Sequence, residues 1–589
     1  MQTDAIAQAG PVAQETPREA RGPGRDRHLQ IVAALVAAGC LIRLGLIMLG
    51  WPETNSDEGF LGLMARHTAF QGEKRIWYPG QNYMGPHEAI LGGALFKLFG
   101  SSLLTLRIGL LALITLFLVS NYVFARMVYG KTWALITLAF VALGSPYVFA
   151  RQLSAIGGYA ETLFFGSLLM LLASWLVLTY HPHRVLREAR WRLAVYTIWG
   201  FIAGTALWAD LLVAPFVLMA GVALLVYCWR ELLRLAAVAA AALGLVVGAL
   251  PMIYFNLTAQ PGQDTLSTLQ WVRGNPPEGL SEKLDAVSNA VRLSVPMMTG
   301  EPFCGVNELS AIGPTTSGAT ACTVARAGWG SAYMLLFAVA IVLGLWALWR
   351  AWRNRNADGE ASLRTLRQQG LHVALLATAV ITFYLYAFSH TAVDWPGIHA
   401  RYLIGFLIAT PAIFHPLWLA AVAAGPRVRA LRFAGRTVLA ALGVFLVVGT
   451  GLAYAETPRV QEVNRQDAGL IDALIGRGVQ NIYSDYWICG KITFLANEKV
   501  ICATVNTQLN PGLNRYPQYW DRVSADPKAA YVFSDDPCRT PPDYRCSDPQ
   551  FVTERNGRYT LPYVEAKARE TGKLFEVVHV DGYVIYLPS

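Results

Sequence analysis

Apolar runs of about 20 residues recur along this chain, and they constrain its fold more than any other feature. A helix needs about 20 predominantly apolar residues to cross the hydrocarbon core of a bilayer. Such runs become helices because lipid offers their backbone no hydrogen-bond partner. Of the 589 residues, 54% are hydrophobic and only 15% are charged, which a soluble core could not accommodate. The sequence therefore predicts a polytopic α-helical membrane protein.

Hydropathy and run length predict eleven membrane-spanning helices. They cover approximately residues 29–50, 103–125, 132–150, 159–180, 193–208, 211–228, 235–255, 329–348, 372–389, 400–420 and 437–455.

The distribution of basic residues predicts the orientation of these helices. Four arginines precede the first apolar run, and every second loop thereafter is basic, which by the positive-inside rule places these segments in the cytoplasm. We therefore expect a bacterial inner-membrane protein with a cytoplasmic N-terminus and an extracytoplasmic C-terminus. The net charge of +9 is spread over short loops without an aromatic-interleaved patch, so no nucleic-acid partner is expected.

These assignments divide the chain into three parts. We expect residues 1–28 to form a disordered cytoplasmic tail, residues 29–455 a transmembrane domain, and residues 456–589 an extracytoplasmic domain. The transmembrane domain contains two large external loops, 51–102 and 256–328. In the last part, helical and strand-like stretches alternate, which predicts a small α/β layer. These stretches are Gln466–Arg477, Asn481–Ser484, Lys499–Ala503, Ala529–Phe533 and Phe575–Leu587.

Cysteine usage agrees with this topology. Cys40 and Cys228 fall within predicted spans, where a thiol behaves as a small hydrophobe. The other six lie in segments predicted to be external, as the close pairs Cys304/Cys322, Cys489/Cys502 and Cys538/Cys546. Disulfides suit such a compartment, although sequence alone does not fix their connectivity. Metal binding is the rival interpretation, but no pair has the CxxC spacing of a zinc knuckle.

The first external loop concentrates acidic residues beside the membrane. Asp57-Glu58 follows the first span directly, and Pro86-His87-Glu88 follows later in the same loop. One interpretation is structural: Ser56 or Asp57 caps a helix running to Phe70, and Pro86 begins another helix whose first turn favours Glu88. That interpretation leaves the density of acids and aromatics in one juxtamembrane loop unexplained.

An ordered set of motifs over about fifty residues resembles the GT-C membrane glycosyltransferases of the protein O-mannosyltransferase and aminoarabinose transferase type. The matching positions are Asp57-Glu58, the stretch 60–70, Pro86-His87-Glu88, Phe96-Lys97-Leu98-Phe99-Gly100 and Arg107. A looser likeness extends to Tyr159-Ala-Glu161 and Arg401-Tyr402-Leu. Aminoarabinose transferases usually carry Lys-Pro-Pro where this chain has Pro86-His-Glu, so the sugar and the acceptor stay open.

The resemblance implies transfer of a sugar from a polyprenyl-phosphate donor to an extracytoplasmic glycan, lipid or protein, with inversion. Such a reaction needs a base for the acceptor hydroxyl and cations for the departing phosphate. Asp57 is the candidate base, and Glu58 or Glu161 could tune or share its proton. An acid as close to a span as Glu161 is functional by default, unless the span boundary is misplaced and leaves it in water.

Substrate-binding candidates are external cations and polar residues. Cations on the external face break the positive-inside pattern, and arginine offers phosphate a planar fork. Arg151 and Arg401 could instead merely snorkel to lipid headgroups. The candidates are Lys74, Arg75, His87, Glu88, Arg151, Arg401 and Tyr402.

A divalent metal held by Asp57, Glu58 and His87 stays possible, whereas His390, Asp394 and His399 match no known ligand spacing. Asp210, in a tight turn, is interpreted as a turn residue. Two rival functions are a transporter or flippase of lipid-linked sugars and a non-catalytic membrane scaffold. The first would place ionisable groups near mid-bilayer, often on broken, paired helices.

Overall fold

The computed structural model describes residues 23–181, 186–304, 320–506, 508–535, 561–572 and 574–589. Within these ranges the chain is mainly helical, with one small sheet towards its C-terminus. The first twelve helices are α1 (Pro23–Met48), α2 (Ser56–Phe70), α3 (His87–Phe99), α4 (Leu103–Tyr129), α5 (Lys131–Ala142), α6 (Pro146–Leu153), α7 (Tyr159–Leu178), α8 (Leu186–Ala209), α9 (Ala214–Tyr227), α10 (Trp229–Leu232), α11 (Leu235–Gly248) and α12 (Leu250–Thr258).

The remaining helices run from the second external loop to the C-terminus. They are α13 (Thr265–Arg273), α14 (Gly279–Asn289), α15 (Val295–Thr299), α16 (Thr320–Arg353), α17 (Glu360–Ala387), α18 (Thr391–Asp394), α19 (Pro396–His399), α20 (Phe406–Ile413), α21 (His415–Val422), α22 (Arg429–Ala455), α23 (Thr457–Gly476), α24 (Tyr486–Leu495), α25 (Pro517–Ser524) and α26 (Leu561–Thr571).

Six helical segments in the described ranges are long and apolar enough to cross a membrane, and the number rises to nine if each of three bent helix pairs is one span. All nine coincide with predicted spans, so this is a multi-pass membrane protein. The predicted spans 193–208 and 211–228 fall on α8 and on the shorter apolar helix Leu211–Tyr227, which are not among the nine. The number eleven is therefore not confirmed.

The bend between α5 and α6 shapes the region where the site lies. The two helices meet at 83°, and Pro146 opens α6 because proline cannot continue the hydrogen bonding of a preceding helix. The fully buried Arg43 of α1 donates to the carbonyls of Ala142 and Val141 at 2.8 and 3.2 Å, and to Gln152 Oε1 at 2.9 Å. These bonds satisfy carbonyls that the bend releases.

The C-terminal sheet confirms the predicted α/β layer. Its strands are β1 (Asn481–Ser484), β2 (Ile501–Thr504), β3 (Ala530–Ser534), β4 (Phe575–Val580) and β5 (Tyr583–Pro588). The strand order is β2-β1-β3-β5-β4. β1 pairs in parallel with β2 and β3, with α24 and α25 in the connections, and β5 joins β3 and β4 antiparallel. The predicted run Phe575–Leu587 is a hairpin, turned at Asp581-Gly582, a pair that tolerates the positive φ seen there.

Two of the three expected cysteine pairs form disulfides, Cys304–Cys322 and Cys489–Cys502. Cys538 and Cys546 lie outside the described residues. Cys40 and Cys228 are free thiols, in keeping with their positions in predicted spans.

Candidate active site

A cavity of about 230 Å³ opens between the start of α2, the loop before α3, the start of α7 and the end of α17. Its polar wall residues include two carboxylates, Asp57 and Asp210, and one guanidinium, Arg401. Four tyrosines also line it: Tyr83, Tyr159, Tyr386 and Tyr402. A cavity with an apolar lining and a few convergent polar groups is the usual form of a small-molecule site.

Asp57 lies in the first turn of α2, where Asn55, rather than Ser56 or Asp57, caps the helix by accepting the Glu58 amide. Its Oδ1 accepts from the Tyr486 hydroxyl and from Arg515 Nη2, the latter at 3.1 Å. The Asp57 backbone carbonyl accepts from Tyr78 Oη at 3.1 Å. The carboxylate thus contacts residues more than 400 positions away while 24% of its side chain stays exposed.

Arg515 and Tyr486 are in charge states that suit these bonds. Burial raises the pKa of Tyr486, and the neighbouring Asp57 raises it further, so the hydroxyl keeps the proton it donates. Burial alone would lower the pKa of Arg515, but Tyr78, Tyr486 and Asp57 raise it above its ordinary value. A permanent cation and a neutral phenol therefore face Asp57.

Glu58 is adjacent in sequence but faces away from the cavity. It is 0% exposed, and Arg107 Nε and Nη2 donate to its two oxygens at 2.9 and 2.6 Å. The Thr54 hydroxyl and the Ala155 amide also donate to it. Breaking a buried pair of this kind is costly. The hydrogen bonds of Glu58 to Arg107 and to the Ala155 amide hold the loop after α6 against α2 and α4.

Glu88 and Glu161 form a second buried acidic pair, joined by a hydrogen bond between their side chains. Glu88 also accepts the Gly157 amide at 3.0 Å, and Glu161 the Gly158 amide at 3.1 Å. A bond between two carboxyl groups requires a proton, and burial raises the pKa of Glu88, which retains one. Glu161 is 1% exposed, so the alternative that left it in water is wrong. Its proton-sharing partner is Glu88, not Asp57.

Three carboxyl groups thus hold the loop 155–158, and Ile156 within it lines the cavity. Gly157 and Gly158 both have φ near +85°. A Cβ at Gly158 would lie 2.1 Å from Asp210 Oδ2. Only glycine fits here, because it combines a left-handed backbone with close approach to a carboxylate.

Arg401 lines this cavity, and Arg151 lies close to Arg401 and Tyr159. Arg151 is 5% exposed and stacks on Tyr147, with its guanidinium carbon 5.0 Å from the ring centroid. Arg401 lies 5.8 Å from the Tyr159 ring and 5.6 Å from that of Tyr402. No ion pair among the described residues includes either arginine, and their buried Nε atoms have no hydrogen-bond partner there. Two buried guanidinium groups that form no ion pair are suited to hold an anion, although Arg401 shares the cavity wall with Asp57 and Asp210.

The other predicted cations and the histidine do not reach the cavity wall. Lys74 is exposed. Arg75 pairs with Glu73 and stacks on Tyr516. His87 opens α3 and packs on Trp208, with ring centroids 4.5 Å apart, and burial lowers its pKa to about 4. A neutral imidazole among aromatics offers phosphate no charge.

The metal hypothesis finds no support in this arrangement. Within the described ranges, no group of three or more His, Cys, Asp or Glu side chains is placed to hold a metal ion. Glu58 is fully engaged with Arg107, and His87 packs against aromatic rings. The set Asp57, Glu58 and His87 is therefore not brought together.

Asp210 is a turn residue that also belongs to the cavity. Its Oδ1 accepts the Leu212 amide at 2.8 Å and caps a short 3₁₀ turn, in line with the prediction. The same side chain lines the cavity, and burial raises its pKa to about 7. Sequence reasoning missed this second location, and it missed Tyr486 and Arg515, because no local pattern marks residues that reach Asp57 from a distant domain.

Neither a protein-family model nor a curated protein matches the sequence. The fold matches the crystal structure of ArnT from Cupriavidus metallidurans in the apo state, with a TM-score of 0.52 and 12% identity over 96% of this chain and 98% of that one. The same protein bound to undecaprenyl phosphate matches with a TM-score of 0.51 and 12% identity over 94% and 97%.

The oligosaccharyltransferase of Archaeoglobus fulgidus in its apo form gives a TM-score of 0.48 at 14% identity, over 88% of this chain and 72% of that one. The matches to the ArnT structures extend over nearly the whole of both chains. This chain therefore has the fold of ArnT from Cupriavidus metallidurans.

Proposed function

We propose that this protein is an inverting glycosyltransferase that moves a sugar from a polyprenyl-phosphate donor to an extracytoplasmic acceptor. The observation that carries the proposal is one cavity with a partly exposed carboxylate, Asp57, on one wall and an unpaired guanidinium, Arg401, on another. Arg151 adds a second buried cation behind it. A base and a phosphate site are the two groups that this reaction needs.

The reaction would proceed as a single displacement. The acceptor oxygen attacks the anomeric carbon while the bond from that carbon to the phosphate oxygen breaks. The phosphate leaves with the bonding electron pair, and Arg401 and Arg151 stabilise its charge. Asp57 takes the proton from the acceptor hydroxyl through Oδ2, since Oδ1 is engaged by Tyr486 and Arg515. Attack from the face opposite the phosphate inverts the anomeric configuration.

The surroundings suit a lipid-linked donor. An apolar crevice beside α6 is lined by Phe140, Val148, Tyr333, Phe406 and Leu446. An isoprenoid chain could follow this crevice with its phosphate at Arg151, one turn along α6 from Val148. ArnT, which shares the fold, has been crystallised with undecaprenyl phosphate. The topology expected from charge would place the reaction on the extracytoplasmic side.

We assign supporting roles to the buried acids. Glu58, Glu88 and Glu161 hold the loop 155–158 at the cavity wall and act through backbone amides, without touching the substrate. Tyr402 and Tyr159 stack on Arg401 and keep its guanidinium in the cavity.

Asp57→Asn tests the proposal. Purified protein is incubated with a panel of undecaprenyl-phosphate-linked hexoses, pentoses and aminosugars, a membrane extract supplies acceptors, and released undecaprenyl phosphate is measured. Wild type should consume at least one donor, and Asp57→Asn should lower the rate at least roughly 100-fold, the usual contribution of a general base.

Asp472→Asn is the matched control, because this aspartate is exposed on α23, does not line the cavity and should leave the rate unchanged. Consumption of no donor by wild type, or equal rates for Asp57→Asn and wild type, would contradict the proposal.

A further inference from the structure

The C-terminal domain directly contacts Asp57, a residue of the cavity wall. We infer that Arg515 and Tyr486 are positioning residues that hold Oδ1 of Asp57 and leave Oδ2 facing the substrate, so that the site is complete only when the C-terminal domain is docked on α2. The inference rests on the proposed function for the role of Asp57, but the contacts that carry it are independent of the substrate.

The three side chains form a closed triangle of hydrogen bonds. Arg515 Nε donates to the Tyr486 hydroxyl oxygen, that hydroxyl donates to Asp57 Oδ1, and Arg515 Nη2 donates to the same Oδ1 at 3.1 Å. No hydrogen bond within the described part of the chain reaches Oδ2. Two donors on one oxygen fix the carboxylate rotation and direct the free lone pairs of the other oxygen to the cavity that Asp57 lines.

Arg515 is itself rigidly held. Only 4% of its side chain is exposed, and Nη1 donates to the Pro79 carbonyl at 2.7 Å. Its guanidinium carbon lies 4.6 Å from the Tyr78 ring centroid and 5.3 Å from that of Tyr486. A planar fork with three fixed directions is a better positioning group than a flexible ammonium. It links the loop before α3, α2 and the C-terminal domain at one point.

The C-terminal domain, which carries Arg515 and Tyr486, packs tightly against α2. The Ser56 hydroxyl oxygen accepts from the Gly490 amide at 2.9 Å, and a Cβ at Gly59 would lie 2.4 Å from the Gly490 carbonyl. Two turns further on, Arg66 donates to the Phe494 carbonyl at 3.0 Å, and His67 contacts Glu498 Oε1 at 3.0 Å. The interface follows α2 over most of its length, and Tyr486 opens the helix, α24, that packs there.

The first test needs no substrate. Asp57→Asn, Arg515→Gln and the double variant are melted as full-length protein in detergent. If the two side chains interact as inferred, the melting-temperature loss of the double variant should be smaller than the sum of the single losses by about 1 °C or more. Additive losses would overturn the contact. The matched control combines Asp57→Asn with Arg465→Gln, because exposed Arg465 pairs with Glu462 far from the cavity. In this pair the two losses in melting temperature should add.

The second test uses whichever undecaprenyl-phosphate sugar wild type consumes. Arg515→Gln and Tyr486→Phe should lower kcat roughly 10- to 100-fold with KM changed less than about twofold, because misorienting a reacting group costs rate rather than donor affinity. Arg515→Lys should recover part of the loss, and guanidinium chloride should partly restore Arg515→Ala. Unchanged kcat, or a loss confined to KM, would overturn the inference.

The two tests distinguish failure of the proposed function from failure of the inferred role of Arg515 and Tyr486. Non-additive melting together with no donor consumption would preserve the contact and reject the proposed function. Donor consumption that depends on Asp57 but not on Arg515 or Tyr486 would preserve the proposed function and reject the inference.

Discussion

In this protein, the groups that a side chain contacts determine its role more than its residue type does. Asp57 and Glu58 are neighbours in sequence, yet one lines a cavity and the other is fully buried against Arg107. Arg151 and Arg401 form no ion pair within the described residues, whereas Arg107 and Arg515 each form one. A buried cation without a counter-charge is costly unless a ligand supplies one.

The proposed phosphate site at Arg401 and Arg151 can be tested by substituting each arginine. Arg401→Gln and Arg151→Gln should each weaken undecaprenyl-phosphate binding roughly tenfold or more, because each removes a charge-assisted hydrogen-bond donor worth about 1.5–3 kcal/mol. Native mass spectrometry with undecaprenyl phosphate as the probe measures this. Arg427→Gln, at an exposed arginine distant from the cavity, should bind as wild type does. Equal binding by all four proteins would reject the phosphate site.

At the scale of elements, the site depends on where helices break and where they touch. The bend between α5 and α6 directs the chain into the loop 155–158, which three acids then hold. The junction between α2 and α24 is set by glycines, because Gly59 and Gly490 bring two backbones to a distance that no side chain allows.

Gly59→Ala tests the importance of that junction. The added methyl group would lie 2.4 Å from the Gly490 backbone, so α2 and α24 must separate, at a cost of about 1–3 kcal/mol or more. Thermal unfolding in detergent should show a clear loss, and donor consumption should fall with it. Gly476→Ala is the control, because its added methyl group would meet no described atom within 4 Å, and stability should hold or rise. Equal melting of the two variants would argue against a tight junction.

For the whole molecule, the attachment of the C-terminal domain couples stability to pH. Although burial of Glu498 acts in the opposite direction, hydrogen bonds from His67 and Tyr519 and the charge of Arg66 lower its pKa to about 2. Its ordinary pKa is 4.5. A depressed carboxyl pKa stabilises the folded state above the unfolded value, and that stabilisation is lost as the pH falls through the folded value.

Glu498→Gln should therefore melt below wild type at pH 7, and the gap should close as the pH falls from about 4.5 to about 2. Scanning calorimetry across that range measures the difference between the two proteins. Glu462→Gln, at an exposed glutamate of α23, is the comparison that should show no such gap. A gap that persists at the lowest pH would contradict the assigned pH dependence.

The sequence by itself determined the membrane class, the position of nearly every apolar helix, the α/β character of the C-terminal part and the acidic loop. These follow from local properties: run length, hydropathy, strand alternation and motif order. It also predicted Asp57 as a candidate base and Arg151 and Arg401 as candidate phosphate-binding residues, and Asp57 and Arg401 line the cavity. It could not indicate that His87 packs among aromatics or that Arg75 pairs with Glu73, because partner choice depends on residues distant in sequence.

Only the tertiary structure decided which residues meet. Asp57 and Arg515 are separated by 458 positions, and Asp57 and Tyr486 by 429. Neither Arg515 nor Tyr486 has a local signature, since an arginine or tyrosine in a water-exposed domain is ordinary. Their role arises when α24 docks on α2 at paired glycines. The sequence determined which chemical groups were available, and long-range packing decided which of them form the site.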